Sequence, residues 1–263
     1  MAKKDIYISS SDEIKKTKEQ REMTFNGMTA NEWATSSRSV WEDLPFPRSE
    51  SKIVKQDVIG EEVYSKILAM YSKENDYVLD PFMKRGTSII SSIHNNRHGI
   101  GFEADQEKFK DGEEAIINSL NLLVNCSYQI FNNSLSSSSN LVEDNSIQLV
   151  MSSLIYNQNE TTEDYNQFLN RIDQTLNALY PKVKDNGYVV FIVRDFRDIK
   201  NNLPYVECHN DVARLGVKNK FVYHDVIIYD HNGQRGLLLQ GYPKVFYVNL
   251  NHSYVIVLRK SSL

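Results

Sequence analysis

Apolar residues alternate between helical and strand spacing from about residue 60 onward. In Glu61–Tyr71, Val63, Ile67, Leu68 and Tyr71 recur at the spacing of one helix face. Tyr77–Asp80 is a short apolar run that predicts a buried strand, and Thr87–Asn95 is again helical. The pattern continues with strand Gly99–Glu103, helix Glu107–Leu123, strand Tyr128–Phe131 and a serine-rich loop, Ser134–Asn140. Strand Ile147–Ser152 follows, then a long amphipathic helix, Asp164–Lys184, kinked at Pro181 and stopped near Gly187. Strand Tyr188–Val193, helix Glu207–Leu215 and strands Val222–Tyr229, Val245–Val248 and Tyr254–Leu258 complete the chain. Strands alternating with helices of this length predict an α/β domain, a mostly parallel sheet with helices on both faces. Ligands of such sheets lie at the carboxyl ends of the strands, where strand order reverses.

Before residue 60 the pattern is different. Residues 1–23 are polar and lysine-rich and read as a tail. Thr29 with Glu32 three positions on is a helix-start signature, and the prolines at 45 and 47 force an extended exit. One domain, residues 24–263, is expected, with target-contacting elements in 24–58 and 199–245. No apolar run reaches the ~18 residues of a membrane span, and no secretion signal is evident, so the expected compartment is the cytoplasm.

Composition narrows the chemistry. The 263 residues are 41% hydrophobic and 24% charged, which excludes fibrous and disordered classes. Two cysteines cannot build a disulfide framework or a cysteine zinc site. His94 and His98 form an H-x-x-x-H without the glutamate or third ligand of a zinc site, so no metal is expected. His209 follows Cys208, but adjacent helical side chains diverge. No nucleophile-elbow serine or P-loop occurs. The net charge of −4 is uneven: residues 212–263 carry seven Lys/Arg against two Asp. Arg214, Lys218, Lys220, Arg235 and Lys244 are therefore the candidate phosphate contacts.

The strand ends carry the most specific signal. The first strand runs into Asp80-Pro81-Phe82-Met83-Lys84-Arg85-Gly86-Thr87, and the second ends in Glu103. A glycine-bearing strand-to-helix turn followed about 20 residues later by an acid is how nucleoside cofactors are held.

Leu79-Asp80-Pro81-Phe82-x-x-x-Gly86-Thr87 resembles the cofactor motif of DNA amino-methyltransferases, usually D-P-F-x-G-x-G-T. The resemblance runs over about residues 24–260. It includes Glu32-Trp33, Ser39-Val40-Trp41, the second strand through Glu103, Asp144–Val150 before the catalytic loop, and the closing strand His252–Lys260. It implies a Rossmann-like methyltransferase fold, S-adenosylmethionine as cofactor if the protein is active, and double-stranded DNA as partner. A homodimer or a methyltransferase or restriction partner is also implied. Asp80, Pro81, Phe82, Gly86, Thr87, Glu103 and Asn133 would hold the cofactor, with Glu103 on the ribose. Ser153-Leu154-Ile155-Tyr156 stands at the family's S/D/N-P-P-Y loop. There the first side chain and a main-chain carbonyl accept the target amine, and the tyrosine stacks on the flipped base.

Four departures bear on activity. Both loop prolines are lost, Lys84 replaces a glycine, Asn133 replaces an aspartate, and Lys55–Gly60 keeps only Ile59 of the family's H-P-A-x-F-P. The expectation is a methyltransferase-fold protein that acts with DNA but is catalytically impaired, as a DNA-binding or partner subunit. The alternative is an active adenine-N6 or cytosine-N4 methyltransferase of a restriction-modification or phage system.

Overall fold

An eight-stranded sheet organises the chain, and its strand order fixes where any ligand can sit. The computed structural model describes residues 24–45, 59–119, 126–154, 156, 164–198, 203–231 and 247–262. The expected tail 1–23 lies outside these residues, as do parts of both expected target-contacting segments. The strands are β1 (Val40–Trp41), β2 (Tyr77–Asp80), β3 (His98–Phe102), β4 (Tyr128–Phe131), β5 (Ile147–Leu154), β6 (Val183–Val193), β7 (Phe196–Asp198), β8 (Leu203–Val206), β9 (Val222–Asp230) and β10 (His252–Arg259). Their order in the main sheet is β1-β9-β10-β6-β5-β2-β3-β4. β2 pairs parallel with both β3 and β5, and β5 with β6. β10 alone is reversed, antiparallel to β6 and to β9. The small β7–β8 hairpin stands apart.

Helices cover both faces because the central strands are apolar on both. In β6, Val189, Phe191 and Val193 pack into one core, and Tyr188, Val190 and Ile192 into the other. The first core is closed by α6 (Tyr165–Leu179) and α7 (Cys208–Lys218), the second by α2 (Glu61–Tyr71) and Trp41. α3 (Thr87–His94) and α4 (Gln106–Ser119) share a smaller cluster around Met83, Ile89 and Ile116. At the N-terminal side, α1 (Ala30–Ser36) starts at Thr29 with the reciprocal Thr29–Glu32 cap that the sequence predicts.

Several expectations change. The long helix ends at Leu179, before Pro181, and β6 already begins at Val183. Gly187 is thus not a helix stop but a point of close approach: a Cβ there would lie 2.9 Å from the Lys184 carbonyl and 3.0 Å from that of Gln148. The serine-rich loop contains a short helix, α5 (Leu135–Ser138), and a 3-10 turn, Ser139–Leu141. Tyr247 and Val248 of the expected Val245–Val248 strand are not in a strand, and residues 245 and 246 lie outside the described residues. β5 continues to Leu154, two residues beyond its expected end.

α4 and the turn after β2 are locked through Gly112. A Cβ at Gly112 would lie 2.6 Å from the Lys84 carbonyl oxygen, a backbone atom that cannot step aside. Glycine to alanine inside a helix ordinarily stabilises by up to ~1 kcal/mol. Here the sign reverses: Gly112→Ala is expected to cost ~1–3 kcal/mol in urea unfolding.

Candidate active site

The carboxyl ends of β2, β3, β5 and β6 lie around the point where strand order reverses, between β2 and β5. Asp80 ends β2 at 2% exposure. Its carboxylate accepts the Ser88 hydroxyl and the Phe82 N–H (2.9 Å). Burial pushes Asp80 up to about 6, an effect these hydrogen bonds only partly offset. Pro81 is buried beside it, and Phe82 lies under the Arg171 guanidinium at 4.8 Å. Gly86, at φ +78°, caps α3 in the left-handed conformation, and Thr87 begins the helix.

Lys84 takes up the backbone geometry of the glycine it replaces. Its φ is +50°, in the left-handed region where a side chain costs ~1–2 kcal/mol. Its N–H donates to Glu103 Oε2 (3.1 Å), and the Asp105 N–H donates to Glu103 Oε1 (2.9 Å). A carboxylate has about four lone-pair sites, so Glu103 keeps capacity for two sugar hydroxyls. The Lys84 ammonium lies near enough to favour the Asp80 carboxylate. The turn therefore fits a ribose but adds a positive charge beside it, which is unfavourable for a sulfonium. Thr87 also borders a cleft of about 740 Å³ with Pro45, Ile59, Gly60, Glu61, Glu62 and Ser65. Ile59 and Gly60 thus come to the front of the cofactor turn.

Asn133 is exposed, whereas its neighbour Asn132 donates to the Glu103 carbonyl (2.9 Å) and braces the end of β3. Ser153 and Leu154 remain in β5, paired with Ile192 and Val193. Both are buried, and Ser153 Oγ has no hydrogen-bond partner among the described residues. Ile155 lies outside the described residues. Tyr156 is half-buried in an aromatic group, 5.1 Å from Phe196, 5.3 Å from Phe168 and 5.4 Å from Tyr165 between ring centroids.

Lys218 and Lys220 do not join this edge. Lys218 ends α7 and Lys220 precedes β9, so both lie toward the opposite, amino edge of the parallel strands. Lys218 pairs with Asp173, and Lys220 lies 5.7 Å from the Tyr180 ring. Arg214 is exposed on α7, and Arg235 and Lys244 lie outside the described residues.

One group on the carboxyl edge escapes the sequence reading. Asp195 follows β6 and accepts His209 Nδ1 (2.8 Å), the His209 N–H (3.0 Å) and the Tyr205 hydroxyl (2.8 Å). His209 stacks on Tyr254, with centroids 4.0 Å apart, and His252 meets the same ring edge-on at 4.9 Å. These residues come from β6, β8, α7 and β10. The only sequence signal was an aspartate just past a strand and a histidine at a helix start. His94 instead pairs with Glu61, His98 bonds Ser127, and no metal-binding cluster occurs among the described residues. No helix among them is long and apolar enough to cross a membrane.

A parallel sheet with one reversed strand near its end, and a glycine turn and an acid at adjacent strand ends, define the fold of S-adenosylmethionine-dependent methyltransferases. A SAM-dependent methyltransferase from Methanosarcina mazei superposes with a TM-score of 0.52 at 12% identity, covering 75% of this chain and 98% of that one. A second solved structure, from Clostridium thermocellum, gives 0.50 at 14% identity, covering 78% and 99%. Within this fold, residues 1–114 match the DNA methylase family. Over 103 residues the chain is 33% identical to the type II methyltransferase M.MthZI of Methanothermobacter thermautotrophicus, covering 38% of this chain and 28% of that protein. Over 91 residues it is 30% identical to the type II methyltransferase M.MjaI of Methanocaldococcus jannaschii, covering 34% and 26%. The matched stretch thus spans little more than a quarter of either relative.

Asp80 makes a pH prediction. Its folded value of about 6 exceeds the ordinary 3.8, so the folded state binds this proton more tightly. The cost of the buried charge is complete above pH 6 and is relieved as pH falls toward 4. Relative to Asp80→Asn, the wild type should gain up to ~3 kcal/mol between pH 7 and pH 4. Denaturant titrations at both pH values measure the difference.

Proposed function

We propose that the protein is a DNA-binding member of the methyltransferase fold in which methyl transfer is impaired. The observation that carries this reading is the end of β5. In the family motif a proline follows the first residue, and a proline has no N–H to donate to a sheet ladder. Here Leu154 stays in register with Val193 at 3% exposure, and the Ser153 hydroxyl is buried. The two groups that would accept the target amine are drawn into the sheet. A misplacement of ~1 Å at such a site costs about a hundredfold in rate. Lys84 adds a second obstacle, since its charge opposes a sulfonium.

The fold would still receive a nucleoside. Gly86, Glu103 and Thr87 would hold S-adenosylmethionine, which supplies an electrophilic methyl group when bound. That retained frame favours the second reading, an active adenine-N6 or cytosine-N4 methyltransferase, in which this chain would act in a restriction-modification or phage system. Calorimetry separates the two. On the first reading the wild type binds S-adenosylmethionine weakly, and Lys84→Gly raises affinity by at least about tenfold, equivalent to ~1.4 kcal/mol. It also raises stability by up to ~1 kcal/mol, since glycine relieves the left-handed strain. Tight binding by the wild type, with methyl transfer to duplex DNA, would establish the second.

DNA would approach the carboxyl edge, where Tyr156 and the strand ends lie. Lys218 and Lys220 are at the other edge, so replacing both with glutamine is expected to leave the salt dependence of DNA binding unchanged. A slope reduced by nearly two would place the phosphate surface on α7 instead.

A further inference from the structure

The Asp195–His209 pair is built like a fixed hydrogen-bond acceptor. Asp195 is 3% exposed, and both of its oxygens lie 2.8 Å from His209 Nδ1. A carboxylate only accepts, so Nδ1 carries a proton, and in the Nδ1–H tautomer Nε2 is the acceptor. Three further constraints hold the ring in place. Its own N–H is bound to Asp195, its face lies on Tyr254, and the Tyr205 hydroxyl occupies the remaining side of the carboxylate. The His209 side chain is nevertheless 24% exposed, and Nε2 has no partner among the described residues.

Its position is as informative as its geometry. Asp195 lies two residues beyond Val193, which pairs with Leu154 of the degenerate loop. Phe196, the next residue, touches Tyr156. On α7, Cys208 lies against the Tyr165 hydroxyl, and Tyr165 packs on Tyr156. Cys208 and Phe196, the chain neighbours of His209 and Asp195, thus contact the aromatic group in which Tyr156 sits, and the imidazole lies at the same carboxyl edge of the sheet as the end of β5.

We propose that His209 Nε2, oriented by Asp195, accepts a hydrogen bond from the exocyclic amino group of an unpaired nucleobase lodged at this edge. The proposal rests on the DNA-binding reading above and names the chemistry recognised: a base that carries an amine. Asp195 acts as a positioning residue, since its role passes through the ring. The groups facing the imidazole are Asp195 from β6, Tyr205 from β8, and Tyr254 and His252 from β10, with Glu207 at the start of α7. None of them supplies another acceptor in the same fixed orientation.

Binding, not turnover, tests this. Short single-stranded oligonucleotides of deoxyadenosine or deoxycytidine are compared by fluorescence anisotropy with strands of the same bases lacking the amino group. The wild type should favour one amino-bearing strand by roughly two- to tenfold, the range of one neutral hydrogen bond. His209→Phe keeps a ring to stack on Tyr254 but removes the acceptor, and should bring that ratio to one while affinity for the desamino strand persists. Asp195→Asn should also abolish the ratio, because an amide can donate to Nδ1 and leave Nε2 protonated. His209→Gln, with its amide acceptor, should restore part of it, which a merely structural role would not do. No preference in the wild type, or a preference unchanged in His209→Phe, would overturn the proposal while leaving the DNA-binding reading intact. Failure of every strand and of duplex DNA to bind would overturn both.

Discussion

The parallel alignment of β2, β3, β5 and β6 is the constraint on which the rest depends. Parallel strands place all their carboxyl ends on one edge, so Asp80, Glu103, Leu154 and Asp195 converge although they are far apart in sequence. The reversed β10 adds to that convergence. Because it runs against its neighbours, its first residues, His252 and Tyr254, enter the same edge rather than the opposite one. One antiparallel strand thus brings His252 and Tyr254 to the Asp195–His209 pair.

The turn after β2 shows how substitution and fold are reconciled. Lys84 sits where the backbone favours glycine, and its N–H is bound by Glu103 while its carbonyl abuts Gly112. The left-handed conformation persists because neighbours on β3 and α4 require it. Strain at such a position survives only when the surroundings over-determine the backbone. The turn thus keeps a path that suits glycine while carrying a lysine's charge.

The sheet was largely legible because its central strands are short apolar runs bounded by turn residues. Tyr77–Asp80 and Tyr128–Phe131 coincide with β2 and β4, and Glu61–Tyr71 with α2. The boundary at Pro181 was misplaced because helical spacing continues past Leu179, whereas pairing of Val183 with Ile147 decides the outcome. The strand-to-helix turn at Asp80–Thr87 was legible through a local motif. The Asp195–His209 pair was not, since it joins a strand end to a helix start across the β7–β8 hairpin, and neither residue lies in a recognisable local pattern. In the same way, counting Lys218 and Lys220 says nothing about which edge of the sheet they occupy.

The β1–β9 pair has a consequence for how the chain is made. Val40 and Trp41 align with Ile228 and Tyr229, Trp41 is fully buried, and the Tyr229 hydroxyl donates to the Pro45 carbonyl 184 positions earlier (2.6 Å). During synthesis the tryptophan emerges long before the strand that receives it. At ~5–20 residues per second that interval is on the order of ten to forty seconds. Throughout it, a large apolar side chain waits without its edge partner, and the strand that carries it is among the last parts of this sheet to lock into place. The sheet is thus closed at its far edge by the chain's earliest described strand, a seam that cannot form until Ile228 and Tyr229 have been made.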